Sequence, residues 1–167
     1  MPPSPSSSDT DMFLRVRCAR AGDVKGESVA KEHVDEIVLS SWHWGLAASS
    51  AIGSTRATAR RSFKHLTVLK AIDSSSTALM NALATNDEVR EAKLSMRKAG
   101  GSQLPFFTLT LGLARVSAID LDIDESGTAV ERVSFAFGKI EVEYRRQQAG
   151  GQRGASTTFL DELLPDE

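Results

Sequence analysis

Period-two alternation of apolar and polar side chains recurs along most of this chain, and it restricts the fold to one built mostly of half-buried strands. In residues 12–18, Met12, Leu14, Val16 and Cys18 share one face while Arg15 and Arg17 point the other way. Residues 35–44 alternate again, with Ile37, Leu39, Ser41 and His43 expected on one side and Val38, Ser40, Trp42 and Trp44 on the other. Residues 63–72, 89–98, 104–123 and 130–144 complete the β-prone set, with Pro105 marking an edge or a strand start. In the last of these the apolar phase passes from Val133, Phe135 and Phe137 to Ile140, Val142 and Tyr144 across Gly138-Lys139. A slip of one residue reverses the faces, so this change predicts a β-bulge.

Only one segment has helical spacing. Ser76, Leu79, Met80 and Leu83 recur at i, i+3, i+4 and i+7; Asp73 or Ser74 offers an N-cap and Asn86 a stop. Gly100-Gly101 reads as a tight turn. Six or seven strands with one short helix predict a mainly β fold, an antiparallel barrel or sandwich flanked by that helix. Residues 1–11 are expected to be disordered, 12–147 to form the β domain, and 148–167 to be a flexible linker and tail. Residues 45–61 are long, small and poor in apolar anchors, a loop of the kind that usually has a task.

A length of 167 residues supports one domain, and a formal net charge of −2 lacks the basic face that nucleic acid requires. One cysteine cannot make an internal disulfide. The longest apolar runs fall far short of the roughly 18 residues of a membrane span, and the N-terminus lacks the basic and apolar regions of a cleaved signal. The chain is therefore expected to fold in the cytoplasm.

Candidate chemistries fail on inspection. Asp120-x-Asp122-x-Asp124 with Glu131 in twelfth place imitates a calcium loop, but Glu125 stands where the sharp turn wants glycine. Alternation with Ile119, Leu121 and Ile123 explains those aspartates as the wet face of a strand. Cys18 with His33, His43 and His65 could be assembled on paper into a nucleophile and base, yet Cys18 is in phase with a buried face and the histidines follow no ligand spacing. No catalytic residue, cofactor site or metal site is therefore assigned, and an enzyme is not expected. Trp42 and Trp44 could offer a stacking platform for a sugar or base, or supply area to a core or subunit contact; the second is favoured. Arg56, Arg60 and Arg61 in the long loop suit either solvation or contact with a partner.

Lys25-Gly26-Glu27-Ser28, Ser41-Trp42-His43-Trp44-Gly45, Asp73-Ser74-Ser75-Ser76-Thr77, Arg97-Lys98-Ala99-Gly100-Gly101 and Glu131-Arg132-Val133-Ser134-Phe135 occur in order from Met12 to about Gln148. This ordered series resembles the Hcp (haemolysin-coregulated protein) family, the inner-tube proteins of the type VI secretion system. The resemblance implies a β-barrel of two sheets with one flanking helix, six copies of which form a ring. It implies stacked rings that carry effector proteins in the lumen, with sheath and spike proteins as further partners, and secretion without a cleaved signal. It places the loop containing Arg56, Arg60 and Arg61 in ring stacking and sets Ser41 and His43 toward the lumen. A phage-type or other contractile-injection tube protein, and a stand-alone ligand-binding barrel using Trp42 and Trp44, are the competing readings.

Overall fold

The computed structural model describes residues 10–48, 61–99, 104–147 and 153–163. Among the described residues ten strands and one helix follow in the order β1 (Thr10–Cys18), β2 (Gly22–Val24), β3 (Ile37–His43), β4 (Leu46–Ala48), β5 (Arg61–Phe63), β6 (Leu66–Ala71), α1 (Ser75–Ala84), β7 (Val89–Lys98), β8 (Phe107–Ile123), β9 (Ala129–Gln147) and β10 (Arg153–Glu162). Strand β9 pairs with β6, then β3, β1, β7 and β8 follow, and β8 pairs back onto β9. Six antiparallel strands thus close a barrel, which removes the free edges of an open sheet. Leu14, Val16, Ile37, Leu66, Val68, Leu94, Leu109, Leu111, Val133, Phe135 and Ile140 fill its interior. Cys18 lies in this core, as its phase predicted.

Local chemistry accounts for the helix. Asp73 accepts hydrogen bonds from the backbone and hydroxyl of Ser75, while Ser76 Oγ accepts one from the Asp73 backbone at 3.0 Å. The Asp73 carboxylate thereby satisfies the Ser75 N–H, which the first turn would leave orphaned, and Ser76 ties the residue before the cap to the helix. At the other end Asn86 takes a left-handed φ of 53°, its N–H bonds to Leu83 O and that of Asp87 to Ala82 O, a Schellman stop. The buried face consists of Ser75, Ser76, Leu79 and Ala82, so the expected stripe is rotated and Leu83 lies outside. Small residues on that side let the helix sit close to the barrel end.

Several expectations change. β1 starts at Thr10, two residues inside the segment read as disordered; residues 1–9 lie outside the described residues. Residues 63–72 are broken at Lys64 and His65 into the end of β5 and β6. Part of the expected linker and tail forms β10, which pairs along β9 from Lys139 to Gln147. This strand continues the place beside β9 that β6 occupies from Val130 to Phe135. Phe159, in direct register with Val142, supplies the alternation that a tail reading overlooked.

The phase change at Gly138-Lys139 is real, but it is not a bulge between β8 and β9. Gly112 faces Lys139 and Ala114 faces Phe137 with no residue inserted. β8 reverses phase at the same level, from Leu109 and Leu111 to Ala114 and Val116, with Leu113 at φ 50°. Both strands turn over together, so the register survives. The register shift lies instead between Val116 and Ala118. Beyond it Leu121 is 52 % exposed and Ile123 is exposed too, so their alternation with the aspartates does not bury them. Asp124 closes the following turn by accepting from the N–H groups of Ser126 and Thr128 at 3.0 and 2.9 Å.

Candidate functional site

Three of the motif blocks, residues 25–28, 73–77 and 131–135, meet at one junction where β6, β9 and the start of α1 come together. Alternation sends Leu66, Val68 and Lys70 inward on β6, and Glu131, Val133 and Phe135 inward on β9. Lys70 and Glu131 are opposite in register and each is 0 % exposed. Lys70 Nζ donates to Glu131 Oε2 at 2.6 Å and to Ser76 Oγ at 3.1 Å, and lies 3.0 Å from Asp73 Oδ1. Ser76 Oγ also reaches Glu131 Oε2 at 2.5 Å, whereas Glu131 Oε1 has no hydrogen-bond partner. Oppositely charged side chains in phase with apolar residues on two strands were a legible signal that the sequence reading missed.

Lys25-Gly26-Glu27-Ser28 docks on this junction from outside. Glu27 Oε2 accepts from the Ser74 N–H at 3.1 Å, a carboxylate placed at a helix N-terminus, and Ser74 Oγ donates to Lys25 O. Gly26 is required by space: a Cβ there would stand 2.5 Å from Glu36 O. The loop of residues 25–36 is held by backbone bonds from Gly26 to Asp35, Ser28 to Glu36 and Asp35 to Ser28. His33 anchors it, stacked on Phe13 at 4.2 Å with Nδ1 2.8 Å from Glu36 Oε2. Glu27 and Glu36 are thus both engaged within the chain.

The predicted assembly residues separate. A register shift between Leu39 and Ser41 turns β3 over, so Trp42 and Trp44 join Ile37 and Leu39 in packing on the core. The expected grouping of Ile37 and Leu39 with Ser41 and His43 is therefore corrected. Trp42 stacks on Phe107 at 5.6 Å and its Nε1 donates to Met96 Sδ at 3.3 Å; Trp44 packs against Phe63 and Phe137. Ser41 and His43 are exposed. Arg56 and Arg60 lie outside the described residues, as do Gly100-Gly101 and residues 49–60 of the long loop. The base of that loop is a hairpin of β4 and β5, and Arg61 at its foot pairs with Asp161 of β10 and donates to Glu162 O at 3.2 Å. Sequence spacing could not join residues a hundred positions apart.

These contacts set the electrostatics. The Arg61 hydrogen bond holds the Asp161 carboxyl below its ordinary range. Burial raises Asp87, but the N–H groups of Ala21 and Arg20 outweigh it and leave that carboxyl lowered. Burial, with the Asp87 charge, pushes the Cys18 thiol up. A raised, buried thiol is a poor nucleophile. Among the described residues no three His, Cys, Asp or Glu side chains are grouped to hold a metal ion.

Comparison with known proteins gives one answer. Residues 16–144 match the family described as "Type VI secretion system effector, Hcp". Protein hcp1 of Pseudomonas aeruginosa is 33% identical over 147 residues, which cover 86% of this chain and 88% of that protein. The crystal structure of Hcp1 from Salmonella typhimurium superposes with a TM-score of 0.70 at 25% identity, covering 92% of this chain and 95% of that one. A type VI secretion system effector from Yersinia pestis has the same fold, with a TM-score of 0.72 at 20% identity over 92% of this chain and 100% of that one. This closed barrel, with three of its motif blocks meeting at the foot of one helix, belongs to the Hcp family of type VI secretion proteins.

Proposed function

We propose that this chain is an inner-tube subunit of a type VI secretion system. Six copies form a ring, rings stack into a tube, and the tube carries effector proteins in its lumen. The observation that carries this reading is where the chain spends its chemistry. The charged motif junction and both tryptophans are turned inward, while the outer faces of the long strands and the β4–β5 hairpin stay exposed. Identical subunits with two unlike exposed flanks can close into a ring. The ligand-binding barrel loses its support, because Trp42 and Trp44 are packed against Phe107, Phe63 and Phe137 instead of forming an open platform.

Within this reading Ser41 and His43 face the lumen, where small polar groups hold cargo weakly enough to release it. Arg56 and Arg60 serve ring stacking; Arg61 braces the β4–β5 hairpin on β10. The tube assembles in the cytoplasm against sheath and spike proteins and leaves without a cleaved signal. The subunit's role is structural and not enzymatic. Native mass measurement of the full chain, with negative-stain micrographs, tests this. Annular particles of six-fold mass are expected; a strict monomer across a wide range of salt and dilution overturns the reading.

A further inference from the structure

Outside glycine, four described residues have left-handed backbone: Glu32, Asp35, Asn86 and Leu113. Asn86 ends the helix. The other three sit at two places, and backbone of this kind persists in residues with a Cβ only where the surroundings enforce it. Each place carries exposed apolar side chains.

The first place is the turnover of β8 and β9. Gly112, Leu113, Gly138 and Lys139 all stand between the buried positions Leu111 and Ala114 on one strand and the core-packing Phe137 and Ile140 on the other. A Cβ at Gly138 would meet the Leu113 Cβ at 3.6 Å, and one at Gly112 the Lys139 Cβ at 3.7 Å. Leu113 and Lys139 therefore stand beside glycine positions without side chains and form a short ridge, with the Leu163 backbone against Gly138. Leu113 is 56 % exposed. The Lys139 side chain, on a residue in register with Gly112 and Glu162, makes no hydrogen bond or ion pair among the described residues.

The second place is the loop of residues 25–36, bent by Glu32 and Asp35. It holds Val29 91 % exposed beside a groove of about 450 Å³ on β1 and β3. Met12, Phe13, Val29 and Val38 give the groove an apolar wall, and Asp11 and Glu27 give it acid. Among the described residues Asp11 is held by Arg97 alone, at 3.4 Å, and Glu27 offers one oxygen to Ser74 N with no partner on the other. The groove exists because β1 and β3 pair at only two positions, Phe13 with Val38 and Leu14 with Ile37.

In the circular order β9, β6, β3, β1, β7, β8, the ridge on β8 and β9 lies across the barrel from the groove on β1 and β3. We propose that the Leu113–Lys139 ridge of one copy seats in the β1–β3 groove of the next copy around the ring. The proposal rests on the ring reading and names its two unlike flanks. Leu113 meets the valine wall while Lys139 meets Asp11 and Glu27, so apolar contact supplies adhesion and charge supplies orientation. The strained backbone at both places holds the flanks in shape before they meet.

Two full-length variants test it. Leu113→Asn with Lys139→Gln blunts the ridge, and asparagine tolerates the positive φ, so the fold is spared. Val29→Glu with Val38→Glu spoils the groove at two exposed positions. Each variant alone is expected to raise the concentration at which rings dissociate by about tenfold or more, with unchanged circular dichroism and melting of the protomer. Mixed, they retain one intact groove and one intact ridge, and a one-to-one dimer that grows no further is expected. If either variant forms rings as readily as the parent chain, the assigned flanks are wrong and the ring reading survives. If the parent chain itself forms no rings, both fall. Should a double variant melt early, Val29→Glu alone carries the test.

Discussion

Removing the Lys70 charge should be among the most damaging single changes this barrel can suffer. Lys70→Met keeps a side chain of similar length but leaves Glu131 at 0 % exposure with only Ser76 Oγ as a donor and with Asp73 nearby. Breaking a buried ion pair by deleting one partner costs about 3–5 kcal/mol. A domain of this kind has about 5–15 kcal/mol in all, so the variant should lose a large share of its stability. In a protein of this size that corresponds to a drop of roughly 6–20 °C in Tm. Glu131→Gln should cost less, because Lys70 keeps Asp73 Oδ1 at 3.0 Å and Ser76 Oγ at 3.1 Å. The double variant should be more stable than the sum of the two, by a coupling of about 0.5–3 kcal/mol. Urea unfolding of the protomer, below the concentration at which rings form, measures all three at constant m. A Lys70→Met cost under about 1 kcal/mol, or strict additivity in the double variant, would show that the charges do not act as a buried pair.

Two further outcomes follow from the titrating groups. Cys18 is buried and its thiol is pushed up, so an aromatic disulfide reagent should label it only after denaturant unfolds the chain; rapid labelling of the native protein would refute its place in the core. Asp87, Asp124 and Asp161 are each held below their ordinary value of 3.8, so their stabilisation is complete above that value and is lost as pH falls through the lower folded values. Urea midpoints should therefore stay level from neutral pH to about 5 and drop below about 4, and Asp161→Asn should shallow that drop.

What could be read in advance depended on whether the information was local. Alternation at Met12, Leu14, Val16 and Cys18 identified β1 and its buried face, and β7 matches residues 89–98 at both ends. Asp73 and Asn86 marked the ends of α1 because caps are written in a few adjacent residues. The facing of Trp42 was not local: it depends on a register shift that appears only when β3 is laid against β6. The same holds for the turnover at Gly138, where the sequence of β9 shows a phase change but only β8 reveals that the partner changes with it. β10 escaped notice because Ser156, Thr157 and Thr158 are polar and its strand character comes from the β9 edge it covers. Arg61 was legible as a basic residue at the end of the long loop, and its tie to Asp161 needed the fold.

The same geometry explains why function must operate from the outside of this barrel. Leu14, Leu94, Leu109, Leu111, Phe135 and Ile140 fill the interior, and the junction of Lys70 and Glu131 sits beside the foot of α1. A core packed in this way holds shape and offers little else. Contact chemistry is left to the outer strand faces, the loop of residues 25–36 and the β4–β5 hairpin. Arg61 ties that hairpin to β10, and Leu163 N bonds to Gly138 O at 2.7 Å, which fastens the end of β10 beside the Leu113–Lys139 ridge. Two short links thus run from the β4–β5 hairpin through β10 to Gly138. In a tube that must be driven out as one object, contacts between rings and contacts within a ring would share load through β10.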